Sequence, residues 1–180
     1  LIREAEGKIS EFHEMIDQAD GESRDQLTRS MHFVMMQLVS HYAPKSPIAE
    51  AYRTLRTNIL ARKAEGSATL LVTSSGPKEG KTTTVSNLAI TLAQMNAKVV
   101  LVDLDMRRPT VHNKFSMEKE NGSSDYLIDP DVRIEQVVKP SGILNLDIVT
   151  SGFVPPNPSE LIASPRLDDM IADLQRIYDY

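Results

Sequence analysis

The chain has 180 residues, of which 41% are hydrophobic and 25% charged, with a net charge of −5 and no cysteine. This length suits one domain, with or without an appendage, and the cysteine count excludes disulfides, thiolate metal sites and cysteine nucleophiles. The acidic balance and the 5% aromatic content argue against nucleic acid as a partner. No apolar run approaches a membrane-spanning helix and no secretion signal is visible, so we expect a cytoplasmic protein. A first residue other than methionine suggests a fragment.

Residues 1–43 have a pattern of their own. Apolar residues recur at spacings of three and four until Asp20-Gly21, and a capping-box pattern then begins at Ser23. This pattern predicts a helical hairpin or extension of unknown role. We therefore divide the chain into residues 1–43 and a second domain over residues 44–180. The apolar positions are Ile2, Ala5, Ile9, Phe12, Ile16 and Ala19 in the first helix, and Leu27, Met31, Val34 and Leu38 in the second.

A further helix is predicted to begin at Pro47, with Ser46 as its cap. Its polar side carries Glu50, Arg53 and Arg56, three residues apart. This stripe is either a solvated helix face with one intrahelical ion pair or a contact surface for another subunit, and periodicity does not decide between them. The apolar residues that we expect this helix to bury are Ile48, Tyr52, Leu55 and Ile59.

Strands and helices alternate from residue 67 onward, with a polar, poorly patterned stretch between about 112 and 140. Two short helices are predicted from Pro158 and Pro165. The alternation predicts an α/β fold with a parallel sheet and flanking helices. The predicted strands are residues 69–73, 98–103 and 143–149, and residues 82–95 form the predicted helix after the first strand.

Residues 75–82 fit the Walker A spacing, with serine in place of the first glycine. Gly76 and Gly80 allow backbone N–H groups to turn toward phosphate oxygens at a helix N-terminus. Lys81 is placed to reach the β- and γ-phosphates, and Thr82 to bind Mg²⁺. The predicted nucleotide-binding residues are Gly76, Pro77, Lys78, Glu79, Gly80, Lys81, Thr82 and Thr83.

Two carboxylates, Asp103 and Asp105, follow the second predicted strand. The carboxyl end of a parallel strand is where α/β proteins bind their ligands. Next to a phosphate-binding loop, such carboxylates bind Mg²⁺ or accept a proton from a nucleophile.

Four blocks of this sequence resemble the cytoplasmic domain of bacterial tyrosine kinases of capsule and exopolysaccharide synthesis, P-loop NTPases of the ParA/MinD-like group. The resemblance covers about residues 42–180. It implies ATP and Mg²⁺ as cofactors and phosphorylation of tyrosine, largely on other copies of the same protein. The four blocks are residues 44–58, the Walker A loop, residues 102–109 and residues 150–161.

The resemblance also implies roles for particular residues. Lys81 and Thr82 match the Walker A lysine and hydroxyl, while Asp103 and Asp105 match the second acidic motif, Walker A′. Lys81, Asp103 and Asp105 are thus the expected catalytic residues, and Thr82 with both aspartates the expected Mg²⁺ ligands. Of the two aspartates, we favour Asp103 for the metal, and Asp105 either for the base or for a supporting role beside the metal ligands. Glu50, Arg53 and Arg56 match a motif that mediates ring-like self-association.

The expected partners are other copies of the chain and a membrane-anchored activator of the polysaccharide export system, with no nucleic acid. The domain would then lie in the cytoplasm at the inner face of the membrane. The chain ends before the family's third acidic motif, Walker B, and has no carboxy-terminal tyrosine cluster, so low stability and weak catalysis are expected. A ParA/MinD-like ATPase is an alternative, although its signature lysine would stand where Gly76 does. A non-catalytic assembly module controlled by nucleotide is another.

Overall fold

The computed structural model describes residues 14–15, 17–21, 23–25, 28, 37–62 and 66–180. Most residues of the predicted N-terminal hairpin lie outside these ranges, so the hairpin and the division after residue 43 stay predictions. No helix within the described ranges is long and apolar enough to cross a membrane. In chain order the elements are α1 (Val39–Tyr42), α2 (Pro47–Leu60), α3 (Lys81–Ala93), β1 (Val99–Val102), α4 (Val111–Lys114), α5 (Ser123–Ile128), α6 (Ile134–Val137), β2 (Val138–Pro140), β3 (Leu146–Val149), α7 (Pro158–Ile162) and α8 (Pro165–Gln175).

Strands β1, β3 and β2 form one sheet, in that order. Strand β1 pairs in parallel with β3, with Val99 opposite Leu146, and β2 pairs antiparallel with β3 on its other side. Side chains alternate between the two faces because successive residues of a strand point in opposite directions. Val99 and Leu101 join one buried cluster, whereas Val100 and Val102 pack against a second.

Helices cover both faces of this sheet. Helix α3 supplies Leu88 and Leu92 to the first cluster, where they meet residues of β1 and β3. Helices α5, α6 and α8 supply the second cluster, which includes the fully buried Met170. This layering is the α/β architecture predicted from the alternation of elements.

Residues 69–73, predicted as a buried strand, do not form one. They are irregular, and Leu71 is 84% exposed. A strand needs a hydrogen-bonded neighbour, and the contact made here is that of Ala68 N–H with the Asp179 carbonyl. Asp179 and Tyr180 in turn bond to Lys98 and Val100, and so connect the residues before the loop to β1.

The stretch between residues 112 and 140 contains more structure than its polar composition predicts. Helices α4, α5 and α6 lie in it, and β2 follows directly. Strand β2 has only three residues and ends in Pro140, which is tolerated because β2 is an edge strand. A strand this short gives no readable alternation.

The loop before α5 lies directly on the backbone that leaves β3. Ser123 and Ser124 donate their N–H groups to the carbonyls of Thr150 and Ser151. A Cβ atom on Gly122 would lie 2.2 Å from both Gly152 N and the Thr150 carbonyl oxygen. Only glycine therefore fits at position 122.

Lys139 of β2 ties three irregular segments together. Its ammonium donates to the carbonyls of Glu118 and Glu120 and, over 3.2 Å, to the Thr150 hydroxyl. Burial lowers the pKa of Lys139, and the nearby acidic side chains partly oppose that change. The side chain acts here as a structural cation.

Helix α1 is docked on α3 through a buried asparagine. The Asn87 amide donates to the carbonyls of Gln37 and Thr83 and accepts the N–H of Ser40 at 2.8 Å. Leu38 lies in the first buried cluster, beside residues of α3. Residues 37–42 thus pack as part of the α/β unit.

Candidate nucleotide-binding site

The loop of residues 74–80 turns directly into α3. Gly80 occupies the position before the helix with a φ of 90°, a conformation that glycine adopts without strain. The first N–H groups of a helix have no partner within it, and here they face the loop. This geometry is the anion-binding arrangement that the Walker A pattern predicts.

The Lys81 ammonium lies within this loop. It donates to the Gly76 carbonyl and the Ser74 hydroxyl, both at 3.1 Å, and Ser74 itself donates to the Gly76 carbonyl. Ser74 precedes the predicted motif and was not singled out by sequence. The loop therefore holds a cation on the side where phosphates are expected.

Glu79 plays a more direct part than its place in the motif suggests. Its carboxylate accepts the Gly76 N–H at 3.0 Å and lies 3.3 Å from the Ser75 hydroxyl. The Gly76 hydrogen bond is the main reason that the pKa of Glu79 is lowered. The Gly76 N–H, one of the backbone donors expected to bind phosphate, is thus hydrogen-bonded to a carboxylate.

Asp103 is buried at the carboxyl end of β1, with 6% of its surface exposed. Its two oxygens accept the N–H groups of Asp105 and Val111 at 3.0 and 3.2 Å. Burial raises the pKa of Asp103, and the two N–H groups act in the opposite direction. The carboxylate is thus fixed in orientation.

Asp105 lies in a different environment. It is exposed, and its carboxylate accepts the N–H of Arg108 at 3.0 Å. The two aspartates predicted to act together therefore divide into one buried and fixed group and one that faces solvent.

The structure brings Thr82 and Asp103 together through residues that sequence analysis missed. The Thr110 hydroxyl lies 2.9 Å from the Thr82 hydroxyl, and the next residue, Val111, donates its N–H to Asp103. Thr110 directly precedes the short helix α4, and threonine is common at the start of a helix, which is the one signal that its sequence position carries.

The donor set suits Mg²⁺. A hydroxyl and carboxylates are hard oxygen ligands, and Mg²⁺ in nucleotide sites takes one or two of them together with water and phosphate oxygens. Within the described ranges no three His, Cys, Asp or Glu side chains cluster as a metal site, so a cage built from protein alone is not formed there. Thr82 and Asp103 are the residues that fit such a metal.

The predicted interface residues make contacts within the chain. Arg53 pairs with Glu50 of the same helix at 2.6 Å. Arg56 donates to the Thr91 carbonyl of α3 at 2.7 Å. Ile48 and Leu55, predicted as buried, are instead 44% and 37% exposed, because α2 packs with Ala49 inward.

Comparison with known protein families tests the predicted fold independently. The model of a family described as AAA domain matches residues 76–180, which begin in the phosphate-binding loop. The chain belongs to the AAA domain family. The P-loop fold predicted from the Walker A spacing is thereby confirmed.

The curated relatives of this AAA domain chain are named as tyrosine kinases. It is 42% identical over 137 residues to the tyrosine-protein kinase YwqD of Bacillus subtilis and covers 57% of that protein. It is 38% identical over 144 residues to the putative tyrosine-protein kinase CapB of Staphylococcus aureus and covers 63% of it. These matches take in 76% and 79% of this chain. The chain thus spans about three-fifths of the length of these relatives.

Solved structures agree with these relatives. The kinase domain of the Escherichia coli tyrosine kinase ETK superposes with a TM-score of 0.74 at 35% identity, over 79% of this chain and 56% of that one. The chimerical protein CapA2B2 superposes with the same TM-score at 38% identity, over 80% of this chain and 63% of that one. The resemblance to bacterial tyrosine kinase domains is confirmed.

Proposed function

We propose that this chain is the nucleotide-binding and phosphoryl-transfer part of an ATP-dependent protein tyrosine kinase. The observation that carries the proposal is the junction of Thr82, Thr110 and Asp103 beside the Lys81 loop. The similarity to proteins named tyrosine-protein kinases supports the choice of tyrosine as acceptor.

In this mechanism the loop of residues 76–83 surrounds the phosphates of ATP, which displace Glu79 from the Gly76 N–H. Lys81 leaves the Gly76 carbonyl and pairs with the β- and γ-phosphates, while the N–H groups of the loop and of the first turn of α3 hold their oxygens. Thr82 and Asp103 would hold Mg²⁺, which would supply positive charge to offset the charge on the phosphate oxygens.

Asp105 is the residue we assign to the acceptor side. Its exposed carboxylate can accept the phenolic proton as the tyrosine oxygen bonds to the γ-phosphorus and the bond to the β–γ bridging oxygen breaks, releasing ADP. Asp103 suits this task less well, because it is buried, with 6% of its surface exposed. The roles thus follow from accessibility.

We infer that the acceptor tyrosines belong largely to other copies of the chain, assembled as a ring. Exposed Ile48 and Leu55 on α2, close to the Glu50–Arg53 pair, support a contact surface on this helix. We further propose that a membrane-anchored activator holds the domain at the cytoplasmic face of the membrane, where the kinase controls capsular or exopolysaccharide synthesis.

The activity test is phosphotyrosine formation with Mg²⁺-ATP, measured by mass spectrometry on the chain itself and on an added tyrosine peptide. We expect a signal from the unaltered chain, none from Lys81→Ala and a residual one from Asp105→Asn. Calorimetry on the same proteins should give ATP binding to Asp105→Asn and its loss in Lys81→Ala, with Lys45→Ala as the control. ATP hydrolysis without phosphotyrosine would favour a ParA/MinD-like ATPase.

Assembly is tested separately by reversing charges on α2. We expect Glu50→Arg alone to lower the oligomeric state seen by analytical ultracentrifugation and Leu55→Ser to do the same. ATP binding should be unchanged in both. Arg56→Ala is less informative, because Arg56 also contacts Thr91 within the chain. An unaltered oligomer in both variants would refute the proposed interface.

A further inference from the structure

Lys114, at the end of α4, is a half-buried cation beside the phosphate-binding helix. Its ammonium donates to the Thr83 hydroxyl at 2.9 Å and to the Gln37 side-chain oxygen at 2.8 Å. Burial lowers the pKa of Lys114, with no acidic group acting in the opposite direction. No carboxylate among the described residues forms an ion pair with it. Both known partners are neutral oxygens.

A cation without a counter-ion in a partly buried position is costly, and such a cost is offset when an anion binds nearby. Thr83 belongs to the first turn of α3, immediately after the proposed Mg²⁺ ligand Thr82. That turn faces the α/β-phosphate region in a Walker A site. The anion that this position would receive is therefore a nucleotide phosphate.

The Thr83 hydroxyl can pass the effect of the Lys114 charge on to a bound phosphate. A hydroxyl accepts at its oxygen and donates through its own proton. Its oxygen accepts from Lys114, and within the described ranges its proton has no acceptor. A hydroxyl polarised by an ammonium donates more strongly to an anion, because hydrogen bonds in a chain reinforce one another.

We propose that Lys114 is a positioning residue for the α/β-phosphates of the nucleotide and acts through the Thr83 hydroxyl. The inference deepens the proposed function and rests on it. Segment 110–114 then contacts the site three times: Thr110 meets Thr82, Val111 meets Asp103, and Lys114 meets Thr83. One short segment after β1 thus hydrogen-bonds both to the proposed metal ligands and to a proposed phosphate ligand.

The test is a double-mutant cycle of Lys114→Met and Thr83→Val, with ATP and ADP binding measured by calorimetry. We expect Lys114→Met to lower the affinity for ATP and the affinity for ADP by the same factor of about ten, which corresponds to one hydrogen bond to a charged group. The two losses of affinity should be equal because ATP and ADP share the α/β-phosphates. In the Thr83→Val background, Lys114→Met should add little, because its route to the phosphate is already removed.

Two controls separate this role from a structural one. Gln37→Ala removes the other partner of Lys114 and should leave nucleotide affinity unchanged. Lys139→Met removes another partly buried lysine, which lies away from the loop. This change should lower the melting temperature without lowering the affinity for ADP. If Lys114→Met and Gln37→Ala lower the melting temperature alike while ADP affinity stays within about twofold, Lys114 only anchors residues 37–42 and the inference is wrong.

Other outcomes are equally decisive. Loss of ATP affinity with ADP affinity intact would place Lys114 at the γ-phosphate and overturn the α/β assignment. Additive effects of Lys114→Met and Thr83→Val would exclude transmission through the hydroxyl. If the unaltered chain binds no nucleotide, the proposed function fails and this inference fails with it. Binding by the unaltered chain and equally by Lys114→Met refutes the inference alone.

Discussion

The carboxylate of Glu79 accepts the backbone N–H of Gly76 at 3.0 Å, inside the loop proposed to bind phosphate. A side-chain anion therefore already binds one backbone donor of the loop. A phosphate at this donor would displace the carboxylate and meet the negative charge of Glu79 at close range. The side chain thus holds the loop and competes with the phosphate.

Replacing Glu79 with glutamine is expected to tighten ATP binding by roughly two- to tenfold, because the charge-assisted hydrogen bond to the Gly76 N–H becomes a weaker neutral one that phosphate displaces more easily. The removal of a negative charge beside the phosphates acts in the same direction. Calorimetry at constant ionic strength measures the effect, and Glu135→Gln, on the exposed side of α6, controls for net charge. Weaker binding by Glu79→Gln would mean that the carboxylate orders the loop for nucleotide rather than competing with it.

Gly122→Ala is expected to destabilise the protein by about 3 kcal/mol, because the new Cβ would overlap backbone atoms of Thr150 and Gly152 that cannot move freely. Chemical denaturation monitored by circular dichroism measures this loss. Gly66→Ala serves as a comparison, since a Cβ there meets no atom within 4 Å and adds only the strain of a positive φ. Similar losses in the two variants would contradict the close approach at Gly122.

Tyr178→Phe is expected to cost about 1 kcal/mol near pH 8, because it removes the 2.8 Å hydrogen bond from the Tyr178 hydroxyl to the Asp147 carboxylate. Burial, with help from that carboxylate, raises the pKa of Tyr178 above its value in the unfolded chain. The stability linked to this group is thus fully present below pH ~10 and is lost as the pH rises further.

The pH dependence gives the sharper test of that tyrosine. Unfolding measured between pH 8 and 11 should show a smaller alkaline loss of stability in Tyr178→Phe than in the unaltered chain. Tyr52→Phe, on the outer helix α2, controls for the loss of one hydroxyl. Parallel curves for Tyr178→Phe and the unaltered chain would show that the Tyr178 hydroxyl is not linked to folding.

Leu71→Lys is expected to change the free energy of unfolding by less than about 0.5 kcal/mol, since Leu71 is 84% exposed and belongs to no strand. The same change should reduce aggregation, because it places a charge in an exposed apolar run. Light scattering during heating measures the second effect. Leu101→Lys, at a buried site of β1, should prevent folding. A large stability loss in Leu71→Lys would mean that residues 69–73 pack in solution.

Sequence patterns predicted the parts of the fold that depend on local signals. Helix α3 has a clear apolar period, and β1 is a dense β-branched run, so both were predicted within two residues of their bounds. The strand predicted at residues 69–73 was wrong, because an apolar composition indicates burial but does not show whether a neighbouring strand is present to pair with. Strand β2 was missed for the opposite reason, since its pairing with β3 compensates for a short sequence that ends in proline.

The site divides in the same way. Lys81, Thr82 and Asp103 could be proposed from the sequence because each belongs to a motif with fixed spacing. Thr110 and Lys114 were not predicted. They contact Thr82 and Thr83 because the chain after β1 folds back toward α3, and no motif in the sequence indicates this fold-back. The exposure of Ile48 was also unforeseen, since helix periodicity shows that one face is apolar but not which face has a partner.

Lys139 holds the backbone carbonyls of Glu118 and Glu120 and the hydroxyl of Thr150 in the manner of a bound calcium ion. Unlike an ion, this cation is attached to the chain and cannot be chelated or washed away. It can, however, be acylated. A single acetyl group would turn a positive donor into a neutral amide and weaken its hold on the segments on either side of α5.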